Sequence, residues 1–404
     1  MFYKKNKFCI ENLNAFKVAR KYGTPSYCYS INKIKNNIKN FKNNFKSVNP
    51  LICFSVKSNN NLEILKLIKK NNIGADVVSI GELLIALKAG ISPNKIVFSG
   101  VGKTKEEISI AINKKILLIN AESESEIDSI ENIARKKKKV VNIGIRLNPN
   151  IDAKTNNKIS TGRNVDKFGV DRISFSKIVN KYKSSRYIKI KCLSVHIGSQ
   201  ITNFRPYTKM VKVIDKFISK LNYKFDYIDF GGGMGIQYDL KSKKLDYKKY
   251  LHSIKIFLKK NKVKIIFEPG RSIIGDTAVL LTKIIYIKKT NKKNFVILDA
   301  AMNDLMRPAL YGSFHKIIPV ERSKKIIKKT HTFVGPICET TDQFLTTKNF
   351  SKVKEGDYLA ICDVGAYGIV LASNYNLRTK PPEITVENFK ANLVSKRQKI
   401  ENII

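Results

Sequence analysis

No stretch of this chain is long and apolar enough to cross a membrane; the longest, such as AVLLTKIIYI (278–287), are short and contain a lysine. The N-terminus, MFYKKNKFCIENLNAF, carries positive charge without an apolar segment, so no signal peptide is expected. The six cysteines (Cys9, Cys28, Cys53, Cys192, Cys338, Cys362) form no CxxC pair and no short framework. In a chain this large that pattern suggests free thiols in a reducing cytoplasm. A Walker A sequence is missing too. The one glycine-rich run, FGGGMGI (230–236), fails the GxGxxG dinucleotide spacing because position 236 is isoleucine.

Acidic residues are scarce. Against 76 Lys and Arg stand 32 Asp and Glu, a formal net charge of +44. Such a balance first suggests a nucleic-acid binder, since basic surfaces release counterions from phosphate backbones. Two observations oppose this. Lysine outnumbers arginine about five to one, although arginine is the usual reader of base edges. The lysines are also spread along the whole chain, and the one tight cluster, RKKKK (135–139), follows a helical segment as a solvated helix end. We therefore expect weak, salt-sensitive adhesion and no specific nucleic-acid partner.

What is present is a repeated grammar. With 404 residues and 43% hydrophobic content, the chain can bury one or two sizeable cores. Short apolar, β-branched runs alternate with Lys-rich stretches of helical spacing. The runs are LICFSVK (51–57), GADVVS (74–79), KIVFSG (95–100), ILLINAE (116–122), VNIGIRLN (141–148), KCLSVHIGS (191–199), YIDFGGG (227–233) and KIIFEPGRS (264–272). Eight strand–helix units in succession predict a (β/α)8 barrel of the α/β class. After residue 275 the pattern becomes strands and turns without intervening helices, which predicts a separate, mainly-β domain. The expected division is 31–275 for the barrel and 276–404 for the β domain, with 1–30 joining the latter.

Polar residues gather at one end of these strands. Lys57, Asp76, His196, Gly231 to Gly233, Glu268 and Arg271 fall at or just past the C-terminal ends, where barrel enzymes carry their chemistry. Partial desolvation of a strand-end lysine favours the neutral amine that forms a Schiff base. The glycine run offers backbone N–H groups to an anion. A lysine, a glycine nest and an acid together suggest pyridoxal phosphate, which needs a Schiff-base lysine and a partner for its ring nitrogen.

From GTPSYCYS to SNYNLRTKPPE the chain resembles the diaminopimelate decarboxylases, within the alanine racemase-like class of pyridoxal-phosphate enzymes. The marks, in order, are KSN, GADVVSIGEL, HIGSQ, DFGGGMG, EPGR, MRPALY, GPICET and GAYG. The resemblance implies a decarboxylase that converts meso-2,6-diaminopimelate to L-lysine and CO2. It makes Lys57 the cofactor-bonding lysine, His196 the ring stacked on the cofactor face, and Glu268 the acid on the pyridine nitrogen. Asp76, Ser199, Gly232, Gly233, Pro269, Gly270, Arg271 and Tyr367 fall in the motifs that surround the cofactor. The substrate's far end carries a carboxylate and an ammonium. Arg271, Arg307 and Tyr311 suit the carboxylate, Glu339 suits the ammonium, and Tyr367 belongs with both ligands. The plain alternative for Arg307 is a structural salt bridge. Cys338 becomes the acid that protonates the carbanion, donated by the neighbouring subunit of a homodimer. His252, His315 and His331 are read as structural, and the other five cysteines as inert.

Small departures are visible. FSVKSNNN stands where YAxKAN is commoner, so Ser55 and Ser58 replace alanines, and Thr341 of CETTD is less typical. The competing readings are an ornithine, arginine or carboxylated-polyamine decarboxylase on the same scaffold, or a basic RNA-binding protein.

Overall fold

A computed structural model describes residues 1–239 and 243–404. The eight predicted runs are the eight strands of a closed barrel: β1 (Leu51–Ser55), β2 (Gly74–Val77), β3 (Ile96–Phe98), β4 (Leu118–Ala121), β5 (Val141–Arg146), β6 (Ile188–Ser194), β7 (Tyr227–Asp229) and β8 (Lys264–Phe267). Each strand pairs in parallel with the next, and β8 closes onto β1 through Ile266 opposite Leu51. Helices follow the strands, and their starts are written into the sequence. Asn61, Ser79 and Ser123 cap helices Leu62–Lys70, Ile80–Lys88 and Glu124–Lys136, while Thr104 and Glu107 form a reciprocal capping box at Lys105–Asn113. RKKKK runs from the last turn of Glu124–Lys136 into its C-terminal cap, where cations suit the helix dipole.

The barrel interior is layered by the two-residue period of its strands. Cys53, Val97, Leu118, Cys192 and Ile266 pack together as an apolar plug. Two residues further on, each strand turns polar with Ser55, Ser99, Asn120, Ser194 and Glu268. The same side-chain direction thus carries core at depth and chemistry at the mouth.

The chain forms two compact units: one contains Asn40–Ile236 and Lys243–Gly270, the other Met1–Lys39, Arg271–Ile404 and a short piece that includes Tyr238. The second unit centres on a nine-stranded sheet. Its long strand Ala278–Lys289 pairs with Lys293–Leu298, Tyr358–Cys362 and Ser26–Ser30. The expectation of strands and turns alone after residue 275 needs one correction. MRPALY contains a short helix, Arg307–Tyr311, with Pro308 in its first turn and Gly312 left-handed at its end. Five residues are too few to display a 3.6-residue period, so only the bounding proline and glycine signalled it.

Candidate active site

The barrel unit gathers one group of the predicted residues. Lys57 lies two residues past β1, in a single 3-10 turn (Val56–Ser58), with its side chain one-third exposed. Its Nζ donates to Asp76 Oδ2 at 2.5 Å, and Ser55 Oγ donates to the same oxygen at 2.7 Å. Ser55 and Asp76 are register partners on β1 and β2, so the strand pairing itself delivers the acid to the lysine. The two serines that replace family alanines are both bonded: Ser55 also donates to the Glu268 carbonyl at 3.1 Å, and Ser58 to the Ser55 carbonyl at 2.7 Å. They also press on Gly270, where a Cβ would stand 2.8 Å from Ser58 Oγ.

His196, two residues past β6, accepts a hydrogen bond on Nδ1 from the Gly232 N–H at 3.2 Å. Burial, with Arg146 and Lys57 nearby, drives its pKa well below the ordinary histidine value, so the ring is neutral. Ser199 sits in the same loop, its N–H bonded to the Ile159 carbonyl at 3.2 Å. The glycines are required by close approach. A Cβ on Gly232 would stand 2.0 Å from the Glu268 carbonyl oxygen, and one on Gly233 would stand 2.1 Å from that of Gly198. Pro269 accepts the Ser55 N–H at 3.1 Å, which ties the EPG turn to β1.

Glu268 is buried, and among the described residues nothing hydrogen-bonds its Oε1. Burial, then Asp229 and Asp76, raise its pKa well above the carboxylate range. Asp229, also raised by burial to about 6, accepts from Gly231 N at 2.9 Å and from Asn120 Nδ2 at 3.2 Å. Gly144 makes room for that asparagine, since a Cβ there would stand 2.0 Å from Asn120 Oδ1. Sequence reasoning missed Asp229, Asn120 and Ser194, because their only signal is a shared inward face on separate strands.

These residues fit pyridoxal phosphate. Glu268 offers an orphaned buried oxygen to a protonated ring nitrogen, which would draw its carboxyl toward ionisation. Lys57 presents an amine at the barrel mouth.

The raised Glu268 pKa has a testable cost. Folding takes up a proton between the unfolded and folded values, so stability falls as pH rises through that window. Cofactor-free Glu268→Gln protein should therefore lose less melting temperature between pH 5 and pH 8 than cofactor-free wild type, by calorimetry. An equal loss in both would show that Glu268 is already ionised.

The second unit gathers the other predicted residues. Arg271 and Arg307 are 6% and 4% exposed. Both donate from Nη1 to Tyr238 Oη, at 2.6 and 2.9 Å. Among the described residues no carboxylate pairs with Arg307, and its Nε has no partner. The salt-bridge alternative for Arg307 is thereby excluded within those residues. Tyr311 closes the short helix that Arg307 opens. Tyr367 holds a left-handed backbone (φ 57°), uncommon for a bulky residue, and its ring lies 4.8 Å from the Arg271 guanidinium carbon. Cys338 and Glu339 are both exposed. Glu339 accepts from Tyr375 Oη and, at 3.0 Å, from Thr341 Oγ1, and these bonds lower its pKa. The atypical Thr341 thus has a use. Tyr238, which sequence reasoning passed over, had no signal beyond lying a few residues after the glycine run.

Comparison with known proteins agrees with this chemistry. Residues 31–275 match the family model for the pyridoxal-dependent decarboxylase, pyridoxal binding domain. A diaminopimelate decarboxylase of Aquifex aeolicus is 40% identical over 100% of this chain and 96% of its own length. The solved diaminopimelate decarboxylase of Helicobacter pylori, complexed with L-lysine, superposes with a TM-score of 0.92 at 39% identity, covering 96% of this chain and 98% of that one. The M. jannaschii enzyme, also with L-lysine, gives 0.94 at 34% identity over 100% and 96%. The chain belongs to the pyridoxal-dependent decarboxylases and, within them, to the diaminopimelate decarboxylase family.

Proposed function

We propose the following roles for this chain's residues in decarboxylating meso-2,6-diaminopimelate to L-lysine and CO2. Bound pyridoxal 5'-phosphate supplies the electron sink for the carbanion left when CO2 departs. Lys57 holds the cofactor aldehyde carbon, with its amine oriented by Asp76. Neutral His196 presents a ring face to the cofactor, Glu268 partners the ring nitrogen, and the backbone of Gly232, Gly233 and Gly270 receives the phosphate. Ser199, Pro269, Arg271 and Tyr367 complete its surroundings.

Arg307, with Arg271 and Tyr311, binds the distal carboxylate, and Glu339 pairs with the distal ammonium. The Cys338 thiol delivers the proton to the carbon that has lost CO2. Exposure of Cys338 and Glu339 supports their serving a second copy of the chain, as a homodimer with shared active sites. As modules we propose 31–275 for cofactor binding, and 1–30 with 276–404 as the β domain; the range of the family match supports the first. Six free cysteines support a cytoplasmic location.

The observation that carries the substrate assignment is Arg307 itself. A buried cation whose hydrogen-bond partners among the described residues are all neutral needs an anion, and ornithine or arginine has no distal carboxylate to offer. Holoenzyme offered meso-diaminopimelate, ornithine and arginine should release L-lysine from the first and far less product from the others. Arg307→Ala should lower kcat/KM for diaminopimelate by about 1.5–3 kcal/mol, roughly 10- to 150-fold. Faster turnover of ornithine by wild type would sink the assignment.

A further inference from the structure

Arg307 is braced as well as buried. Its Nη1 lies 2.8 Å from His315 Nε2, and its Nη2 donates to Ser313 Oγ at 3.2 Å. A guanidinium has donors only, so His315 Nε2 must accept. The ring proton then belongs on Nδ1, which donates to the Cys362 carbonyl at 2.9 Å. That carbonyl ends the strand Tyr358–Cys362, so the histidine is anchored to the sheet. His315 is fully buried, and burial with Arg307 pushes its pKa down to about 3. A neutral ring in one tautomer results.

Tyr238 completes the brace. Its hydroxyl oxygen accepts from both guanidiniums, its ring centroid lies 4.9 Å from the Arg307 carbon and 5.8 Å from that of Arg271, and it meets the His315 ring in a T-shaped contact with centroids 5.3 Å apart. The neutrality of the set has a physical consequence. An aspartate in place of His315 would orient Arg307 equally well, but its charge would compete with any arriving carboxylate. A neutral acceptor orients the cation and leaves its charge for a ligand.

We propose that His315 and Tyr238 are positioning residues that hold Arg307 as a charge-preserving clamp for the substrate's distal carboxylate. This rests on the reading that Arg307 binds that carboxylate.

The test separates the two nitrogens. His315→Asn retains an N–H for the Cys362 carbonyl and removes the acceptor for Arg307. His315→Gln places an amide oxygen near the lost Nε2. With holoenzyme, His315→Asn should raise KM for meso-diaminopimelate roughly 10-fold or more, with kcat falling less than about threefold. Calorimetric binding of L-lysine, which keeps one carboxylate, should weaken in parallel, while binding of cadaverine, which has none, should not. His315→Gln should recover most of the loss, and Tyr238→Phe should weaken L-lysine selectively. Arg307→Ala is the reference. If it weakens L-lysine but His315→Asn and Tyr238→Phe do not, the brace is refuted alone. Equal loss of L-lysine and cadaverine in the brace variants would reduce both residues to packing. If Arg307→Ala leaves L-lysine binding unchanged, the carboxylate reading falls and takes the clamp with it.

Discussion

Lys57→Ala protein will lose decarboxylase activity by about four orders of magnitude or more and will show no visible band from covalently held cofactor. The chain's many other lysines will not replace it. Lys57 is set two residues past a barrel strand with its amine on a fully buried acid, Asp76. In wild type, borohydride should fix a pyridoxyl group on the peptide that contains Lys57, read by mass spectrometry; label on a different lysine ends this assignment. The substitution also leaves the Asp76 carboxylate without its cation. Because Lys57 is one-third exposed, the stability cost should be modest, on the order of 1–3 kcal/mol.

The second large effect is a recovery of activity. Lys57→Ala and Cys338→Ala proteins should each be nearly inactive alone. After subunits are mixed and exchanged at random, half the dimers are mixed. In the proposed shared-site dimer each mixed pair would hold one site with Lys57 from one chain and Cys338 from its partner, and one site with neither. Activity should return to about a quarter of wild type. Native mass spectrometry must show the mixed dimers. If they form and activity stays at baseline, both residues act within one chain, and Cys338 has to be reassigned to its own subunit's chemistry.

Some of this site was legible because its signals are contiguous. The eight barrel strands announced themselves by apolar runs bounded by turns, and polar residues at the run ends marked the barrel mouth. Lys57 and Asp76 each appear within one short motif. Other features have no contiguous signature. Asn120, Ser194 and Asp229 look like ordinary strand residues until three strands place them side by side. His315 read as a structural histidine. Its bond to Arg307 depends on Gly312 turning the chain out of the short helix and on the strand that carries Cys362.

By itself the sequence determined the barrel, the chemistry expected at its mouth and the family to which the chain belongs. Each of these follows from local periodicity and from short motifs whose residues are neighbours along the backbone. Tertiary structure alone decided the protonation and charge of the site. Burial and Asp229 raise Glu268, burial beside Arg146 keeps His196 neutral, and Arg307 is held, among the described residues, by the neutral side chains of Tyr238, His315 and Ser313. Charge states depend on which groups share a desolvated space. Around Glu268 those groups come from barrel strands tens to hundreds of residues apart, as Asp229 and Asp76 do.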